Sequence, residues 1–383
     1  MPSTITTRGS LSARYITFVS SGSLYGFVFT YVSVIALSCK PLLTRKASEG
    51  SDEMEKWKSL LNGDPVEWLL QKENPSVRYY TLKDILGRPE SDSEVVEARK
   101  DIMVYTPVTE ILQNQNPQGF WVSVDDPYLP KYKATYHQLL ILSELGTPVC
   151  KPIERSIELV FENYQYYSGH FRAKIIKTER GRKSSLIDGA CLTGNIVRFL
   201  IHFGYLHDQR TQKALEFLVK THDNGWSCRA YPIDKEKVFP QNCYMGGVKP
   251  LIALSMVPER ERKGSIQEII NEEVEIYLEN EIFMYLKDEK GERKAKYGWT
   301  RFGFPLFYQS DTLEVLETLA RLGINDERME KALDLVVSKQ DKNGRWKLEN
   351  TFNGKMWVDI EEKGNPSKWI TLKALRVLKQ VYG

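Results

Sequence analysis

Six apolar helical stretches in this chain stop in the same way, at Gly87, Gly146, Gly204, Pro258, Gly323 and Gly383, at intervals of 59, 58, 54, 65 and 60 residues. A repeat this regular requires a stacked or closed array of like units, each burying its apolar face on its neighbours. The number of units then decides the architecture, and the architecture decides where a site can lie.

The half of each repeat before the stop is the better preserved. Residues 134–146, 311–323 and 369–378 carry apolar side chains at helical spacing, and weaker copies run over 77–87, 190–204 and 244–258. The closing glycine suits a left-handed helix C-cap, and Asn74-Pro75 reads as an N-cap followed by a first-turn proline. The other half is an amphipathic helix, clearest at 213–219 and 331–337, followed by a polar turn with glycine and an aromatic residue. The turns are Gln115…Gly119-Phe120-Trp121, Asp223-Asn224-Gly225-Trp226 and Gln340…Gly344-Arg345-Trp346, with a weaker copy at Gly169-His170-Phe171. Glycine supplies the positive φ of a tight turn, and a large ring can plug the gap between neighbouring pairs.

The Gln…Gly-x-Trp turns resemble the QW repeats of squalene and terpenoid cyclases and of protein prenyltransferase β subunits. The resemblance covers residues 54–383 and implies an all-α fold, an α/α toroid of about six helix hairpins with an inner and an outer ring. The helices that end at the six stops would form the inner ring. An open helical solenoid of the same hairpins is the alternative. The resemblance further implies a small apolar, isoprenoid-like ligand.

Charged residues make up 27% of the chain, both signs mixed, and the net charge is +3, so no basic stripe points to nucleic acid. The five cysteines Cys39, Cys150, Cys191, Cys228 and Cys243 are odd in number and have no disulfide-framework spacing, which suits a reducing, cytoplasmic setting for 54–383. Residues 1–53 differ in character. Positions 15–39 carry no charge, which reads as a membrane span or signal-like segment giving membrane association, or as an upstream extension with Met54 the true start. The run 287–296 reads as a solvated loop.

In a ring of hairpins every outer-to-inner connection emerges at one rim. That would bring together Cys191, Cys228 and Cys243, which could hold zinc with His222, Asp188 or water completing a tetrahedron, or could pack as small apolar groups. Asp188 and Asp311 stand at inner-helix starts. Each could act as a catalytic acid facing the cavity, or as an N-cap. The aromatic run 297–308 supplies candidate substrate contacts in Trp299, Arg301, Phe304 and Tyr308, with inter-repeat packing as the other reading. Asp-x-Asp-Asp and Asp-Asp-x-x-Asp are absent, Val124-Asp125-Asp126 being the nearest approach. Phosphate loops, nucleophile elbows and His-Glu-x-x-His are absent too. Carbohydrate chemistry would fall to Asp125, Asp126 or Asp359, and a non-catalytic binding or scaffold role needs none of these acids. His137 and His202 fall inside inner helices, where lining a core or cavity is their expected role.

Overall fold

The computed structural model describes residues 23–24, 27–28, 53–175, 187–227, 229–230 and 243–383. The chain divides into two units, Met1–Leu43 and Thr44–Gly383. In the first, Ser23–Leu24 pairs antiparallel with Phe27–Val28; the rest of the 15–39 stretch lies outside the described residues. Among the described residues no helix is long and apolar enough to cross a membrane.

The second unit carries the repeat. Its helices, in chain order, are α1 (Pro75–Tyr80, continued by a π turn Thr81–Ile85), α2 (Ser93–Asp101), α3 (Thr106–Gln113), α4 (Thr135–Glu144), α5 (Lys151–Tyr164) and α6 (Ala190–His202). There follow α7 (Gln209–Lys220), α8 (Tyr244–Ser255), α9 (Gly264–Glu279), α10 (Thr312–Arg321), α11 (Glu330–Ser338) and α12 (Lys368–Tyr382). A 3-10 segment Glu53–Leu60 and a short turn Val66–Leu69 precede them.

Burial separates two classes of helix. In α4 every residue from Thr135 to Ser143 is buried, and in α10 every residue from Thr312 to Ala320. In α5 only one stripe is buried, Ile153, Ser156, Ile157, Val160, Phe161 and Tyr164, at the three-to-four spacing of an amphipathic surface helix. The first class is an inner ring and the second an outer one. Going round, α4 packs on α6, α6 on α8, α8 on α10, α10 on α12, and α12 on α1. Two junctions at α1 close the circle: Arg376 of α12 lies over the Tyr80 ring at 4.7 Å and meets Asp84 at 2.6 Å, and Tyr80 in turn borders Gly146 at the end of α4. The protein is an α/α toroid, and the open solenoid is excluded.

Local chemistry explains the repeat. Gly87, Gly146, Gly204 and Gly323 all have positive φ, and after three of them the next N–H reaches back to a helix carbonyl (Thr147 to Leu142, Tyr205 to Leu200, Ile324 to Leu319, at 2.9–3.0 Å). This is the six-to-one bond that satisfies an orphan C-terminal carbonyl. At the polar turns the indole N–H of Trp121, Trp226 and Trp346 donates to the outer helix just ended, at Ile111, Leu218 and Val336. The glutamine amide points the other way. Gln115, Gln165 and Gln340 donate to carbonyls of the next outer element, at Pro152, Arg210 and Leu60. The backbone N–H of Trp121, Phe171 and Trp346 donates to Thr135, Thr193 and Thr371 in the first turn or so of the following inner helix. Each turn therefore ties one outer helix, the next outer element and one inner helix together. The partner of Gln340 is Leu60, so the N-terminal segment completes the outer ring.

The inner helices α6 and α8 touch through backbone. A Cβ on Gly194 would lie 2.6 Å from the Pro250 nitrogen and 2.7 Å from the Lys249 carbonyl carbon, an approach only glycine permits. Between α9 and α10 the pairing of Leu286–Lys287 with Arg293–Lys294 forms a largely exposed hairpin, within the run read as a solvated loop.

Candidate functional site

Because each hairpin runs outer then inner, the six inner helices are parallel and their starts share one mouth. At that mouth a chamber of about 450 Å³ opens between α4, α6 and the loops before α4 and α10. Helix α4 contributes Tyr136, His137 and Leu140; helix α6 contributes Cys191, Asn195 and Phe199. The loops add Tyr128, Lys131, Phe307 and Tyr308, with Lys131 Nζ 4.6 Å above the Tyr308 ring. No described lining residue is a carboxylate.

Two lining residues carry buried polar atoms without partners among the described residues, His137 Nδ1 and Asn195 Oδ1. The Asn195 amide nitrogen is committed to the Phe307 carbonyl at 2.9 Å, which leaves its oxygen facing away from that bond. Burial, with Lys131 nearby, pushes the His137 imidazole down to about 3, so the ring is neutral near pH 7 and offers one donor and one acceptor.

A charged layer lies one to two turns further along the same helices. Lys249 of α8 makes two 2.7 Å bonds to Glu314 of α10, both side chains buried. Arg198 of α6 pairs with Glu144 of α4 and stands 3.7 Å from Glu314. Lys373 and Arg376 of α12 lie 3.1 and 2.9 Å from Glu317. Burial alone would raise Glu317, yet Lys373 and Arg376 hold its carboxyl well below the usual range. None of this layer was anticipated from the sequence.

Of the residues singled out in the sequence, Tyr308, Cys191 and His137 line the chamber. Trp299 is instead buried against Tyr244 and Tyr285, with ring centroids 5.2 and 5.3 Å away. Phe304 stacks on Trp369 at 4.3 Å. Arg301 donates to the Glu349 carbonyl and the Tyr297 hydroxyl. None of these three lines the chamber. Cys191 and Cys243 both border Gly246, and Cys243 Sγ accepts the Gly246 N–H at 3.2 Å as an N-cap. Cys228 lies outside the described residues, as does the side chain of Asp188. Among the described residues no three His, Cys, Asp or Glu side chains converge as metal ligands would. Both nitrogens of His222 face carboxylates of α9, Glu273 at 3.0 Å and Glu272 at 3.3 Å, so that ring is already committed to the outer helix.

Asp311 caps α10. Its two oxygens accept the N–H groups of Glu314 and Gly303 at 2.9 and 2.8 Å. Glu361, which sequence reasoning passed over, does the same for α12 through the N–H groups of Lys368 and Trp369. Burial raises both acids to about 7 against those backbone bonds. An acid raised in the fold stabilises it fully below its unfolded pKa, and that stability is lost as pH rises through the folded value. Between pH 5 and pH 8 Asp311 alone is thus expected to withdraw about 2–3 kcal/mol. Asp311→Asn should remove that slope from urea-unfolding free energies measured at the two pH values. An unchanged slope would show that the two backbone bonds keep Asp311 ionised throughout.

No protein-family model and no curated protein matches this sequence. Among solved structures the chain is similar to an unsaturated glucuronyl hydrolase specific for heparin, with a TM-score of 0.45, 11% identity and coverage of 86% of this chain and 97% of that one. It is similar also to the GH76A α-1,6-mannanase of Salegentibacter, with a TM-score of 0.41, 11% identity and coverage of 86% and 96%. A type II terpene cyclase from Scytonema is a third, with a TM-score of 0.29, 13% identity and coverage of 73% and 97%. The toroid assignment rests on the helix packing described above.

Proposed function

We propose that this toroid binds a small, mainly apolar molecule carrying one hydroxyl or carbonyl, of the isoprenoid-alcohol kind, in the aromatic chamber at the inner-helix starts. The observation that carries the reading is the chamber's lining: aromatic and aliphatic walls, no described carboxylate, and the unpaired polar atoms of His137 and Asn195. Buried polar atoms are normally hydrogen-bonded, and a ligand hydroxyl could donate to Asn195 Oδ1 while accepting from the imidazole. Tyr308 supplies a wall, with Lys131 over its ring.

If the chain also transforms its ligand, the acid of this proposal is Asp188, whose neighbour Gly189 lines the chamber. Asp311 has both oxygens engaged as a cap. Zinc on Cys191, Cys228 and Cys243 would belong to the same catalytic extension. Metal analysis under reducing conditions tests it, and a preparation without stoichiometric zinc removes it.

The binding test uses farnesol and geranylgeraniol in calorimetric titrations, with mannotriose as the carbohydrate arm. Saturable binding of an isoprenoid alcohol is expected, weakened at least tenfold by Leu192→Trp, which places an indole in the chamber from a partly exposed wall position. Binding of mannotriose alone, or isoprenoid binding indifferent to Leu192→Trp, would sink the reading.

A further inference from the structure

The opposite mouth of the ring, where the inner helices end, holds a second cavity of about 540 Å³ that the chamber reading does not use. Five cations line it against three carboxylates. The pairings show which cation is left over. Lys373 stands 3.1 Å from Glu317 and 3.7 Å from Glu144, and Arg376 joins Asp84 to Glu317. Arg198 is taken by Glu144. Lys379 Nζ donates to the carbonyls of Asp84 and Ile85 at 3.0 Å, closing the end of α1.

Arg321 reaches none of these acids at ion-pair distance, although its charge joins those of Lys373 and Arg376 in holding the Glu317 carboxyl low. It is exposed to solvent and lines the cavity, and its hydrogen bond is a long one, 3.3 Å from Nη1 to the neutral Ser255 hydroxyl. Helix C-termini attract cations without any ligand, and Lys379 is explained that way. Arg321 stands in the last turn of α10 and shares that attraction, but it bonds no helix-end carbonyl, only a side-chain hydroxyl. A second guanidinium nitrogen at the same cavity, Arg198 Nη1, is buried without a hydrogen-bond partner, with Glu314 as its ionic neighbour at 3.7 Å. The π turn Thr81–Ile85 carries Asp84 at this mouth, and such bulges recur at functional sites.

We infer that this mouth is a second ligand site, for a small phosphate ester whose phosphate is held by Arg321 and whose organic part rests against Tyr80 and Met256. A surplus of two positive charges matches a phosphate monoester near neutral pH, and the planar guanidinium fork suits phosphate oxygens. The cavity exceeds the needs of a bare ion, which is why an ester is expected.

Calorimetric titration with inorganic phosphate, pyrophosphate and citrate at low salt tests the inference on the full chain. Saturable binding of phosphate or pyrophosphate is expected, weakened at least tenfold by Arg321→Gln and left unchanged by Leu192→Trp in the other chamber. Gln380→Glu, at an exposed lining position, adds a negative charge without touching any ion pair and should weaken binding in the same direction. The inference is overturned by absence of saturable phosphate and pyrophosphate binding, by citrate binding as tightly, or by indifference to both substitutions. Because the Leu192→Trp control reports on the first chamber alone, failure here leaves the isoprenoid reading standing, and the reverse holds.

Discussion

Replacing Lys249 by Met is expected to cost the fold about 3–5 kcal/mol, while adding Glu314→Leu to the same chain should return most of it. Lys249 and Glu314 are both buried and held by two bonds of 2.7 Å. Once the ammonium is gone, Glu314 keeps only Arg198, at 3.7 Å, and that guanidinium is already paired with Glu144. A buried carboxylate so nearly alone carries most of its desolvation penalty. Removing both charges deletes the penalty with the attraction, which is why the double variant recovers.

The converse variant adds a pH signature. Burial presses Lys249 down to about 8 even with Glu314 beside it. In Glu314→Leu that support is missing, so the folded pKa falls further while the unfolded value stays near the ordinary lysine range. Between the two values the unfolded chain binds more protons, and stability therefore rises with pH. Glu314→Leu should thus be least stable below the depressed pKa and recover as pH climbs towards about 10. Urea-unfolding midpoints of the two single variants and the double at pH 7 and pH 9.5 would separate these effects. Equal losses for single and double variants at both pH values would mean that the ion pair is not what holds α8 against α10.

The sequence told most where backbone chemistry leaves a fixed trace. A helix that must stop and turn needs a residue tolerant of positive φ, so the repeat was legible from Gly87, Gly146, Gly204 and Gly323, all found in that conformation. The Gly-x-aromatic turns were legible for the same reason. Their glutamines were visible, but the carbonyls they serve lie on the next outer element, and sequence distance hides that partnership. Aromatic positions told less. Tyr308 and Phe304 belong to one run, yet Tyr308 lines the chamber and Phe304 stacks between helices on Trp369. Ring size and hydrophobicity are alike in both places, and only the direction of the side chain differs. The charged layer escaped notice because Glu317, Lys373 and Arg376 look like the solvated side of ordinary amphipathic helices. The signal was confined to α4, which carries Glu144 as its one charge; α10 sets Glu314, Glu317 and Arg321 on one side, as a surface helix would.

Closure of the ring depends on a contact between two glycines far apart in sequence, and Gly344→Ala should break it at a cost of about 3–5 kcal/mol, a sum of backbone strain and overpacking. Gly344 has φ +69°, and a Cβ there would sit 2.0 Å from the Gly63 carbonyl oxygen. The obstacle is backbone on the N-terminal segment, which is itself fixed to the same turn by Asn62 N–H to Gln340 at 3.0 Å and by Gln340 to Leu60 at 2.9 Å. Gly354 separates the two components of the effect. It has φ +74° with nothing within 4 Å of a would-be Cβ, so Gly354→Ala should cost only the strain, about 1 kcal/mol. Gly169 supplies the other comparison. A Cβ there would meet the Lys213 carbonyl oxygen at 2.1 Å, but at a junction where the chain runs on continuously from one hairpin to the next. The Gly344 junction joins segments linked only through the rest of the ring, so its failure can release 53–69 locally while the other hairpins stay stacked. Hydrogen exchange should then rise first in 53–69 and α12 for Gly344→Ala, and more evenly for Gly169→Ala. Uniform exchange in both variants, or equal costs for Gly344→Ala and Gly354→Ala, would mean that the circle is held shut by the inner helices alone, through Arg376 and Tyr80, and that the outer seam merely follows.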